Sequence, residues 1–95
     1  IISYFNSSQE KKAIDLLYHK VFSKIKIYIR NNRGSKEEAE DIFHDSIIKL
    51  IIKIRNNELE PNIDVYAYLF VIAKNLWIVK VKRDKKVQYL ENISE

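Results

Sequence analysis

One glycine and one proline in 95 residues is the feature that most narrows what this chain can become. An all-β domain of this length needs such residues at nearly every chain reversal. A chain with so few reversals is left with long rods, and the expectation is an all-α fold. Folding a chain of this size removes roughly two-thirds of its exposed surface from water, enough for one core and no more. With 46% apolar residues to fill that core, residues 1–95 are expected to form a single domain. The absence of Cys excludes a disulfide framework and thiolate metal sites. The longest apolar run, Val65 to Ala73 with its tyrosines, falls short of the roughly 18 residues that cross a bilayer. No secretory leader is visible, so a soluble cytoplasmic protein with no membrane partner is the expectation.

Hydrophobic spacing divides the chain into three helices, at about 8–31, 36–55 and 64–84. The run Ser7-Ser8-Gln9-Glu10 fits a capping box that opens the first, in which a Ser oxygen and a Glu carboxylate satisfy each other's backbone amides. Its apolar stripe is Ile14, Tyr18, Val21, Ile25 and Tyr28, widened by Leu17, Phe22 and Ile29. Asn31-Asn32-Arg33-Gly34 ends it, because Asn and Gly tolerate the left-handed conformation of a helix C-terminus. Ser35-Lys36-Glu37-Glu38 is a second capping box, and Ala39, Phe43, Ser46 or Ile47, Leu50 and Ile54 form the core stripe behind it. A polar connection from Arg55 to Ile63 holds the only Pro. Asn62 or Asp64 caps the third helix, with Val65, Leu69, Ile72, Ala73, Leu76 and Val79 toward the core. Val87 to Ile93 fits either a short further helix or a tail.

The formal charge of +4 is unevenly spread. Between Lys11 and Lys36 eight basic residues face one acid; the next nine residues hold five acids and no Lys or Arg; from Lys74 to Lys86 six basic residues face only Asp84. Such segregation points to partners of opposite character, against the plainer reading of solvated helix faces. On the second helix, Asp41, His44, Asp45, Ile48 and Ile52 make a second stripe beside the core one, mixing acids, an imidazole and two isoleucines. That helix is either buried on two sides or offers this surface to another protein. On the third, Tyr66, Tyr68, Phe70 and Trp77 occupy directions the core stripe does not need, and cations follow them. Aromatic rings interleaved with cations suit unpaired bases and phosphates, whereas each ring singly is more simply read as core.

Signs of catalysis are lacking. There is no phosphate-cradling Gly loop, zinc spacing or Gly-flanked Ser nucleophile, so neither an enzyme nor a cofactor is expected. Asp41, His44 and Asp45 at three-residue spacing have no second ligand motif to support a metal, and none is expected.

Gly34 to Ser46 (GSKEEAEDIFHDS), followed by Ala67 to Ile78 (AYLFVIAKNLWI), is similar to region 2 of bacterial sigma factors of the extracytoplasmic-function type, over about Leu17 to Lys86. The resemblance implies a three-helix bundle acting in transcription initiation, in the bacterial cytoplasm at the nucleoid. It implies that Asp41, His44, Asp45, Ile48 and Ile52 dock on the clamp coiled coil of the core RNA polymerase β′ subunit. It implies that the loop Asn56 to Asp64, with Asn56, Asn57 and Asn62, captures a base flipped from the −10 promoter element. Tyr66, Tyr68, Lys74, Asn75, Trp77, Lys82 and Arg83 would then lie near DNA that is partly single-stranded. An anti-sigma factor is a further implied partner. His44 stands where the family usually has Gln, and Val79 where it commonly has Asp, so no role of that acid is carried over. The family's helix-turn-helix domain for the −35 element has no counterpart here, and with no Met the chain is expected to be a piece of a longer protein. The alternative, drawn from the residues alone, is a regulatory protein-interaction domain that does not bind DNA directly.

Overall fold

The computed structural model describes the backbone of residues 9–93 and the side chains of residues 9–85. Three helical rods make the bundle. The first joins α1 (Glu10–Leu17), a π-helical segment (Tyr18–Phe22) and α2 (Ser23–Asn31), with right-handed helical backbone angles at both junctions. The second is α3 (Lys36–Arg55) and the third α4 (Val65–Ile93). There is no strand among the described residues. The core draws Ala13, Leu17, Val21, Phe22, Ile25 and Ile29 from the first rod; Ala39, Ile42, Phe43, Ile47, Leu50 and Ile54 from α3; and Val65, Leu69, Ile72, Ala73 and Trp77 from α4.

α3 starts as its sequence predicts. Ser35 Oγ accepts from the Glu38 amide and Glu38 Oε1 accepts from the Ser35 amide, both at 3.0 Å, a complete capping box. The first rod starts differently. Gln9 is its cap and makes no side-chain cap bond, and Ser7 and Ser8 lie outside the described residues. Glu10 instead accepts from Arg55 Nη2 at 3.0 Å, tying the first rod to the end of α3.

Both α2 and α3 end in Schellman turns that no glycine closes. Gly34 N–H reaches Ile29 C=O at 2.8 Å and Arg33 N–H reaches Arg30 C=O at 3.4 Å; at the other end Glu58 and Asn57 repeat the pattern onto Lys53 and Ile54. The left-handed residues are Arg33 (φ 71°) and Asn57 (φ 53°). This corrects the expectation for Gly34, which has no positive φ. Glycine is needed there for space: a Cβ would collide with Ile29 Cγ2 and come within 2.7 Å of Trp77 Cη2.

That contact also corrects the core stripe of α4. Trp77 is 4% exposed and belongs to the core, whereas Val79 is 58% exposed and Leu76 only half-buried. The indole fills the gap that Gly34 leaves at the end of the first rod. In the first rod, Tyr18 was expected in the stripe but is 45% exposed. The wider π turn puts it at the rim, where its ring stacks on Phe22 (4.7 Å, 10° between planes) and meets Phe43 edge-on at 5.6 Å. α4 does not stop near residue 84. Residues 87–93 prolong the same helix and form neither a separate fourth helix nor a tail.

Candidate functional site

The second stripe of α3 is a surface. Asp41, His44 and Asp45 are exposed, Ile48 is 57% and Ile52 52% exposed, and their spacings of three, one, three and four keep them on one side of the helix. The opposite side carries Ala39, Ile42, Phe43, Ile47, Leu50 and Ile54, all buried, together with Ser46, whose hydroxyl donates to Ile42 C=O at 2.6 Å. The helix is therefore buried on one side only. Isoleucines that leave more than half their surface in water gain little from the fold, and flanked by three polar groups they make a mixed acidic and apolar patch. No group of three or more His, Cys, Asp or Glu among the described residues is placed to hold a metal ion.

The connection from α3 to α4 is anchored and shaped. Leu59 and Ile63 pack half-buried against the core, and Ile63 N–H donates to Glu60 C=O at 3.2 Å around Pro61 and Asn62. Proline at the second position of such a turn supplies its fixed φ. With the apolar residues turned inward, Asn56, Asn57 and Asn62 are exposed. Asp64 caps α4, its Oδ1 accepting from the Ala67 amide at 3.2 Å.

The candidate nucleic-acid residues on α4 do not share one face. Tyr68, Asn75 and Lys82, seven apart, lie along one line of the helix, with Tyr68 half-buried and the other two exposed. This line borders the connection. Lys53 pairs with Glu58 at 3.3 Å, and its ammonium is held above its usual range first by that carboxylate and then by the Tyr68 phenol. Trp77 points inward and presents no stacking face to solvent. Arg83 is exposed but lies one residue beyond that line.

Lys74 and Tyr66 face the first rod. The Lys74 ammonium sits 5.5 Å from the centroid of Tyr28 and 5.7 Å from that of Phe70. Tyr66 is part of a pocket of about 380 Å³ between the first rod and the start of α4, lined also by Lys20, Lys24, Asp64, Phe70 and Val71. A larger groove of about 650 Å³ lies further along the same seam, with Tyr28, Asn32, Arg33, Ile78, Lys82 and Lys85 among its walls. Lys20, Lys24, Arg33 and Lys85 count among the cations of the sequence but not among its candidate site residues. Their partners across the seam come from the other end of the chain, and only the four-residue spacing of Lys20 and Lys24 hinted at a shared face.

An ion-pair network joins the start of α3 to α4. Lys80 Nζ lies 3.0 Å from Glu38 Oε2 and 3.0 Å from Asp84 Oδ2, and 5.8 Å from the centroid of Trp77. Glu38 thus serves the capping box with one oxygen and α4 with the other. Its carboxyl is held below its ordinary value, by the Lys80 hydrogen bond first and the Ser35 amide second. No helix among the described residues is long and apolar enough to cross a membrane.

The family described as Sigma-70 region 2 matches residues 17–87. Comparison with curated proteins and with solved structures gave no match.

Proposed function

The chain belongs to the sigma-70 region 2 family, and from that membership we propose that it is the promoter-opening module of an extracytoplasmic-function type sigma factor. Region 2 of sigma factors is a non-catalytic transcription-initiation domain that binds core RNA polymerase and the −10 promoter element. In this chain the α3 patch Asp41, His44, Asp45, Ile48 and Ile52 docks on the clamp coiled coil of the β′ subunit. The loop Asn56 to Asp64, with Asn56, Asn57 and Asn62, receives a flipped −10 base, and Tyr68, Asn75 and Lys82 track the strand beside it. Arg83, Lys74 and Tyr66 serve the same DNA from neighbouring directions. Trp77 holds α4 in place and does not stack on a base.

One observation carries this reading. Two exposed isoleucines, each more than half in water, sit among acids on the side of α3 away from the core, while α4 carries six cations against one acid from Lys74 to Lys86. A protein partner covers an acidic and apolar patch well, and a phosphate backbone would be repelled by it. The rings and cations of α4 suit unpaired bases. An anti-sigma factor would silence the module by covering either face.

Retention of core RNA polymerase in a pull-down tests the first half. Asp45→Arg and Ile48→Asp are expected to abolish retention, and unchanged retention by both would refute the interface. For DNA, Lys82→Ala is expected to weaken capture of the non-template −10 strand and to lower the salt slope by about 0.7. Binding to a regulator alone, flat with salt, would favour a protein-interaction domain without direct DNA contact.

A further inference from the structure

The pocket between the first rod and the start of α4 lies off the Tyr68, Asn75 and Lys82 line, and no role above uses its far wall. That wall is Lys20 and Lys24, one in the π-helical segment and the other at the start of α2, and neither makes an ion pair among the described residues. The near wall is Tyr66, Phe70 and Val71, and Asp64 lines the pocket with them. Phe70 continues the site to Lys74, whose ammonium lies 5.7 Å from its ring centroid. Two lysines thus line, with two rings, a pocket of about 380 Å³, and Lys74 lies next to it over Phe70; the volume is within the usual range for small-ligand sites.

We infer that this pocket is a second nucleotide site, taking one unpaired base of a single strand against Tyr66 and Phe70 with the adjoining phosphates on Lys20, Lys24 and Lys74. The inference rests on the reading of the chain as a −10 DNA binder and adds a site where the start of α4 faces the first rod. Tyr66 is 37% exposed at the pocket and Phe70 half-buried beside it, and a base offers its face to such rings only once it has been turned out of the duplex stack. The cations neutralise the backbone on either side of it. Asp64 gives the site a preference. Its Oδ1 is engaged by the Ala67 amide, and a carboxylate has acceptor capacity to spare for an exocyclic amine, which adenine and cytosine carry and thymine lacks. The π segment, which widens the turn holding Lys20, is a backbone feature that recurs at functional sites. An acidic peptide would also meet the lysines, but it would have no use for the two rings.

The test is fluorescence anisotropy of the full chain with labelled oligo-dA, oligo-dC, oligo-dT and an abasic oligonucleotide. Lys20→Ala with Lys24→Ala, exposed positions whose loss leaves the core intact, is expected to lower the salt slope by about 1.4. Tyr66→Ala is expected to weaken oligo-dA about tenfold and to leave the abasic strand unchanged, a difference that a loosened fold would not produce. Asp64→Asn, which keeps a capping side chain, is expected to narrow the gap between oligo-dA and oligo-dT. If the double lysine variant binds as tightly as the parent while Lys82→Ala weakens binding, the pocket assignment falls and the DNA reading stands. If the parent chain binds no oligonucleotide, both fall. If a poly-glutamate peptide displaces oligo-dA and Tyr66→Ala leaves both affinities unchanged, the pocket is a protein-docking surface and the assignment is overturned.

Discussion

The indole of Trp77 lies against Gly34 so closely that a β-carbon added to the glycine would stand 2.7 Å from Cη2 and 2.9 Å from Cζ2. The only glycine of the chain therefore registers α4 against the end of the first rod. Gly34→Ala is expected to cost about 1–3 kcal/mol in urea unfolding, the usual penalty for overpacking a filled site. Trp77→Ala empties the same site from the other side and is expected to cost about 3–5 kcal/mol. Loss of DNA binding in that variant, if the fold is preserved by added osmolyte, would restore Trp77 as a stacking residue.

Arg33 carries a conformational penalty that its neighbour could have spared it. A left-handed backbone costs a non-glycine residue about 1–2 kcal/mol, and glycine returns about 0.5–1 kcal/mol of that in the entropy it loses on folding. Arg33→Gly is therefore expected to raise stability by about 0.5–1 kcal/mol, read as a shift in the urea midpoint at constant slope. Asn57→Gly should gain less, because Asn tolerates this conformation.

The Glu38 to Lys80 pair predicts a pH dependence with a definite sign. Glu38 is held below its ordinary 4.5, so its contribution is present above that value and fades as the pH falls through the folded value. Lys80 is raised above 10.5, first by Glu38 and then by Asp84, so its contribution is present below 10.5 and fades as the pH rises through its folded value. Both side chains keep about a third of their surface in water, which holds the pair to about 0.2–1 kcal/mol. Glu38→Gln preserves the capping box and removes the pair. Its deficit relative to the parent is expected to be full at neutral pH and to shrink in acid and in strong base.

Much of this was legible in the sequence, and the exceptions have a common cause. Ser35 and Glu38 announce α3 because a capping box is local, and the buried and exposed stripes of α3 follow from spacing alone. Trp77 could not be assigned this way. It lies near the edge of the core-facing arc of α4, and what draws it inward is the missing side chain of Gly34, 43 residues earlier and on another rod. Tyr18 was misplaced because a π turn adds a residue without a local signature and rotates what it carries. The pocket of Lys20, Lys24, Tyr66 and Phe70 joins residues from the two ends of the chain, and periodicity within either helix is blind to it.

Two isoleucines of α3 that look alike in sequence are expected to behave oppositely. Ile47 is 5% exposed and its neighbour Ile48 points to water. Glu is a good helix former, so Ile48→Glu and Ile52→Glu are expected to change stability by no more than about 0.5 kcal/mol. The same change at Ile47 places an unpaired carboxylate in the core and is expected to cost more than about 3 kcal/mol, or to unfold the domain. Polymerase retention separates fold from function: it should be lost in all three variants, yet only the Ile48 and Ile52 proteins should retain the parent's urea midpoint. A fold-neutral Ile48→Glu that still retained polymerase would leave the exposed patch without its proposed partner.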